Sequence, residues 1–90
     1  MAKRDKLEII RDILVLIKDS QNSIKPTPLL RKSNLSSQSF SEYLKELKEK
    51  KLIIEKEDKK RKRFISITDK GFRYIEKYFS IIGFIEEFEL

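Results

Sequence analysis

Ninety residues, 39% of them apolar and 40% charged, allow one small domain with a modest core. The absence of both Cys and His excludes a disulfide framework, a thiolate zinc site and the commonest acid–base side chain. The net charge of +6 is uneven: residues 1–79 carry all 21 bases with 12 acids, whereas Glu86, Glu87 and Glu89 make the last eleven residues acidic. A basic body with an acidic end points to a polyanion partner and a separate region that avoids it, although a thermophile's charge-dense surface has the same composition.

The opening "MAKRDKLEIIRDILVLIK" is basic and then apolar, but Glu8, Arg11 and Asp12 interrupt it at helical spacing. A secretory leader has no such interruption, and no apolar run reaches membrane-spanning length, so the expected location is cytoplasmic and nucleoid-associated. Leu7, Ile10, Ile13, Leu14 and Ile17 recur at three- and four-residue steps, predicting a helix over about 5–18. "DSQNSIK" then reads as a turn-rich break.

Thr27 before Pro28 reads as an N-cap with proline in the first helical position, opening a short helix over 28–33. Asn34 suits a left-handed turn residue. Ser36 caps a further helix over 37–50, with Phe40, Tyr43, Leu44 and Leu47 inward. Two helices joined so tightly form a helix-turn-helix. Alternation in Leu52–Glu55 and again in Ile65–Thr68 predicts two strands of a hairpin over 52–68. Lys59, Lys60, Arg61, Lys62 and Arg63 fall at its tip and descending edge. A like-charge block is commonly a solvated or disordered surface, yet this one sits between strands.

Thr68 or Asp69 caps a last helix running toward Leu90, with two apolar rows. Phe72, Ile75, Phe79 and Ile82 suit the core. Tyr74, Tyr78, Ile81, Ile85 and Phe88 follow a heptad rhythm and call for a partner, with burial against the first helix as the alternative. Gly83 lies between the rows and marks a break or a close helix crossing.

The fold class is therefore mainly α with a small β-hairpin (α+β): a winged helix-turn-helix body at 1–68 and a core-packing, dimerising helix at 69–90. In that geometry the second helix of the motif enters the major groove and the wing follows the phosphates. The outward face of the 37–50 helix offers Gln38, Ser41 and Lys45 for base edges or phosphates, alongside Glu42, Glu46 and Glu49, which repel phosphate. The wing offers Lys56, Lys59, Lys60, Arg61, Lys62 and Arg63 for salt-sensitive backbone contact. The N-terminal Lys3, Arg4 and Lys6 add to this surface.

"RDKLEIIRDIL", "TPLLRKSNLSSQSFSEYLKELKEKKLI" and "ISITDKGFRYIEKY" resemble the archaeal winged-helix family of small DNA-binding proteins, which includes ten-kilodalton chromatin-associated members. The resemblance covers about residues 4–79 and is most specific at Asn34–Leu47 and at Thr68–Gly71. It implies a binder of double-stranded DNA, dimerising through an antiparallel coiled coil of the last helices. It also sets Ser36 and Ser37 at the start of the recognition helix. Lys51 stands where many members have Gly, and the last helix is shorter than a long coiled coil needs. Chromatin and regulatory roles both fit, and so does a protein-docking winged helix in a transcription or replication complex. Neither an enzyme, a metal, a cofactor nor a small-molecule ligand is expected.

Overall fold

The computed structural model describes residues 4–90, so Lys3 lies outside the described residues. Helix α1 (Lys6–Asp19) is followed by α2 (Pro26–Ser33), α3 (Ser37–Glu49), strands β1 (Ile53–Glu57) and β2 (Arg63–Ile67), and α4 (Asp69–Glu87).

Helix α1 begins where the Asp5 carboxylate accepts the Glu8 N–H at 2.8 Å, satisfying one orphan donor of the first turn. Its buried residues are Ile10, Ile13, Leu14 and Ile17, the stripe that the spacing predicts. Around them close Leu29 of α2, Phe40, Leu44 and Leu47 of α3, Ile53, Ile65 and Ile67 of the sheet, and Ile75 of α4. Each such side chain, fully withdrawn from water, contributes about 1.5–3 kcal/mol before chain entropy is charged against it.

Helix α2 starts two residues earlier than the sequence reading has it. Pro26 occupies the first turn, Lys25 is the cap position, and no side chain caps the helix, so Thr27 lies inside it. Both prolines fit the first turn, where an N–H has no intrahelical acceptor to lose, and the earlier one sets the start. The helix ends at Asn34, left-handed at φ 60°, and Ser36 caps α3 by accepting the Ser39 N–H at 3.1 Å. These two residues make the tight turn between the helices.

The segment read as a simple turn does more. Gln21 and Asn22 are both left-handed, and Ile24 forms a two-bond bridge with Ile65 at 2.8 and 3.1 Å. Two residues before it, the Asn22 side chain accepts the Ile67 N–H at 2.7 Å. Asn22 and Ile24 thus act as a fragment of a third strand along the edge of β2.

The strands pair antiparallel, Ile53 opposite Ile67 through Glu57 opposite Arg63. Residues 53, 55 and 57 therefore share one face of the ribbon with 63, 65 and 67, while Ile54, Lys56 and Phe64 share the other.

The end of α3, the start of β1 and the start of α4 meet in one knot. Lys51 is left-handed at φ 60°, its N–H bonds to the Lys48 carbonyl, and the Leu52 N–H bonds back to Leu47. This is a Schellman C-cap with Lys where Gly is usual. The Thr68 hydroxyl donates to the carbonyls of Lys51 (2.7 Å) and Leu52 (3.1 Å) and accepts the Gly71 N–H, so it caps α4 while holding the α3 terminus. The Lys70 ammonium reaches the Lys50 carbonyl at 2.8 Å. At Gly71 a Cβ would overlap the Leu52 carbonyl oxygen and the Ile67 side chain. "T.KG" is thus a fastener built from a hydroxyl, an ammonium and a missing methyl.

Helix α4 is continuous through Gly83, so the expected break is absent, and nothing of the chain lies within 4 Å of a Cβ built there. At about 1.5 Å per residue its 19 residues extend roughly 28 Å, and its last turns are mostly exposed. The 51 × 28 × 22 Å extents reflect that length.

A candidate nucleic-acid interface

The wing tip is ordered by a single carboxylate. Asp58 donates its N–H to the Lys62 carbonyl (3.0 Å) and accepts, through its own carbonyl, the Arg61 N–H (3.0 Å). Its side chain accepts from the N–H groups of Lys60 (2.8 Å) and Lys62 (2.9 Å). Arg61 is left-handed at φ 61°. A four-residue turn followed by a left-handed residue is a common way to close a three-residue hairpin loop. The only acid at the tip is spent on backbone donors. Lys59, Lys60, Arg61 and Lys62 are left exposed, and none makes an ion pair among the described residues.

Arg63, on β2, lies 3.7 Å from Glu55 and remains 68% exposed, so that pair is loose. Because the ribbon alternates, Arg63 shares the face of Glu55, which bonds to Lys48 of α3 at 2.9 Å. Lys56 lies on the opposite face with Phe64 and is exposed there. The six basic wing residues thus divide into a tip, a face turned to α3 and a face turned away.

On α3, Ser37, Gln38, Ser41 and Lys45 are all exposed. The Ser36 oxygen is committed to the helix cap. Ser37 and Ser41 line a cleft of about 260 Å³ with Thr27 and Leu30 of α2 and Glu55 and Arg63 of the wing. A second cleft, about 460 Å³, lies between Lys25, Pro26 and Thr27 and the wing residues Arg61, Lys62 and Arg63. Lys25 and Thr27 were not among the residues that the sequence reading assigned to DNA. With no side chain capping α2, its N-terminus keeps its partial positive charge open. Tyr43 is half-buried against the core rather than presented as a stacking surface.

The acids of α3 are less repulsive than a count suggests. Glu46 accepts from Lys50 and Lys6, both at 3.0 Å, and these two hydrogen bonds hold its carboxyl below the ordinary value of 4.5. Glu55 is engaged by Lys48, and Glu42 and Glu49 remain exposed.

The last helix departs from two clean rows. Tyr74 and Tyr78 turn to the chain's own α1. The Tyr74 hydroxyl donates to the Leu7 carbonyl at 2.8 Å, and desolvation followed by the neighbouring Tyr78 raises its pKa. Tyr78 lies under the Arg11 guanidinium, 4.9 Å from the ring centre. Phe79, assigned to the core row, is 52% exposed. The reason is length: the close packing on α1 ends near Tyr78, and beyond it only Ile82 is half-buried. Ile81, Ile85 and Phe88 are exposed as a row, joined by Phe84, which packs on Phe88 at 4.9 Å and belonged to neither predicted row.

The profile of the winged helix-turn-helix family matches residues 3–86. The chain is a member of the winged helix-turn-helix family. Among solved structures this winged helix is similar to MepR, a transcription regulator of the Staphylococcus aureus multidrug efflux pump MepA, at TM-score 0.75 and 22% identity. That match covers 88% of this chain and 59% of MepR, so the winged helix spans well under two thirds of that relative's length. It is also similar to Sso10a-2, a DNA-binding protein from Sulfolobus solfataricus, at TM-score 0.75 and 20% identity, over 96% of this chain and 86% of that one. A comparison with curated protein sequences finds no match.

Proposed function

We propose that this winged helix binds double-stranded DNA, with the N-terminal half of α3 in the major groove and the wing on the phosphate backbone. The observation that carries the reading is the wing tip. A turn folded around Asp58 projects four bases that make no ion pair among the described residues, and Arg63, next to that turn, borders the cleft lined by the exposed Ser37 and Ser41. Preorganised cations on a rigid ribbon lose little conformational freedom on meeting phosphates, and they release counterions as they do. Gln38, Ser41 and Lys45 supply contacts to base edges, while Ser36 acts by fixing the start of the helix. Support comes from family membership and from two similar proteins, one a DNA-binding protein and one a transcription regulator. The role is that of a transcription regulator, with the chromatin-type role distinguished by a low preference among sequences.

The functional unit is a homodimer joined through Ile81, Phe84, Ile85 and Phe88. Lys70, Arg73 and Lys77 occupy the first half of α4, and Glu86, Glu87 and Glu89 follow in and just beyond the last. Antiparallel pairing through that row sets the acids opposite residues 80–83, whereas parallel pairing sets acid against acid. Docking to a different protein is the second reading, favoured only by the same exposed apolar row.

Titration with random and selected duplexes at two salt concentrations tests the DNA reading, giving the specificity ratio and the phosphate count together. Binding that is absent, or independent of salt, overturns it. Sedimentation equilibrium of the protein alone tests the dimer, and a monomer at micromolar concentration leaves only the docking reading.

A further inference from the structure

At the opposite end of α2 from the wing, a cleft of about 400 Å³ opens between α1, the α2–α3 turn and α4. Its apolar wall is Val15, Leu16 and the exposed ring of Phe79. Its polar rim is Arg4, Arg11 and Lys32 with one acid, Asp12. Arg4 donates to Asp12 at 2.9 Å and to the Ser33 carbonyl at 3.0 Å, while Arg11 donates twice to a single oxygen of Asp12, at 2.6 and 2.9 Å. Asp12 is therefore shared between two guanidinium groups. Lys32 makes no ion pair among the described residues. The Nη1 of Arg11 has no hydrogen-bond acceptor among them either, although its guanidinium stays charged: burial lowers its pKa, but the Asp12 hydrogen bond and charge outweigh burial and hold it above its ordinary value.

Two cationic donors are thus free at the lip of an apolar wall. The volume lies within the roughly 300–1,000 Å³ typical of small-molecule sites, which are mostly apolar with a few fixed polar groups. We propose that this cleft binds a small organic anion with a flat apolar body, its carboxylate on Lys32 and Arg11 and its ring against Phe79 and Leu16. This revises the expectation that the protein has no small-molecule partner. A carboxylate gains charge-assisted hydrogen bonds that a neutral isostere cannot make. Dimerisation leaves the cleft open. Phe79 precedes Ile81 by two residues, about 200° around the helix, so a partner on the Ile81 row sits on the far side of α4.

The site is independent of DNA binding and is tested without DNA. The 90-residue protein labelled with nitrogen-15 is titrated with 1-naphthoate and, in parallel, with the neutral 1-naphthamide. Saturable shifts confined to residues 11–16, 32–34 and 78–80 are the expected result, with the amide weaker by about tenfold or more. Lys32→Glu, at an exposed position, is expected to cost the naphthoate a further factor of about ten with an unchanged melting temperature. Phe79→Ala is expected to weaken both probes. Shifts that spread over the wing, equal affinity for the amide, or full affinity in Lys32→Glu would each overturn the proposal.

Discussion

Replacing Lys59, Lys60 and Lys62 together with Ala removes half of the wing's bases while leaving its scaffold intact. The turn is held by Asp58 through backbone N–H groups, which Ala retains, and none of the three lysines makes an ion pair among the described residues. A change in DNA affinity therefore reports lost phosphate contact rather than a lost fold. Each neutralised phosphate contributes about 0.9 to the slope of log K against log salt concentration. If all three lysines reach phosphates, the slope flattens by about 2.7. At about 0.15 M salt, a contact of this kind is worth roughly 1 kcal/mol, so the triple variant binds about 100-fold more weakly or worse. Fluorescence anisotropy on one duplex across a salt series measures both quantities, with circular dichroism confirming the fold. An unchanged slope refutes the wing reading outright. A slope reduced by about 0.9 assigns only one lysine to the backbone.

Four further outcomes follow from the packing. Gly71→Ala drives a methyl into the Leu52 carbonyl, costing about 2 kcal/mol and lowering the melting temperature by roughly 10 °C. Lys51→Gly relieves a left-handed side chain and raises stability by about 0.5–1 kcal/mol in urea unfolding, net of the extra freedom of the unfolded chain. The Glu46 carboxyl, held by Lys50 and Lys6, titrates below 4.5 in carbon-13 NMR, and Lys50→Ala brings it back toward that value. Since its folded pKa is depressed, its stabilising effect is present above 4.5 and fades as pH falls through the lowered value. Ile81→Lys with Ile85→Lys yields a monomer in analytical ultracentrifugation, and a wild-type monomer removes the basis for that outcome.

The elements held by local rules were legible from sequence. The period of α1, the Ser36 cap and the left-handed Asn34 each depend on residues within a few positions of one another. What escaped depends on distance along the chain. The bond between Asn22 and Ile67 links residues 45 apart, and a strand represented by Ile24 alone has no alternation to detect. Tyr74 and Tyr78 carried the right heptad spacing for a partner helix, and the alternative weighed for that row, α1 of the same chain, holds for these two. Periodicity gives the face of a helix and not its neighbour. At the wing, sequence gave the charge. The geometry that makes it usable rests on Asp58, whose two backbone acceptances are invisible to a count of bases.

The knot at Thr68, Lys70 and Gly71 bears on mechanics as much as on stability. It joins the C-terminal end of α3 and the lead into β1 to the first turn of α4 through the Thr68 hydroxyl and the Lys70 ammonium. Helix α4 is thus expected to act as a tiller, a rotation of its free end carrying α3 with it. A pair of such molecules clasped by their tillers would have its two reading helices set at a fixed phase. The spacing of the DNA sequences it can engage at once would then be decided some 20 residues away from any base.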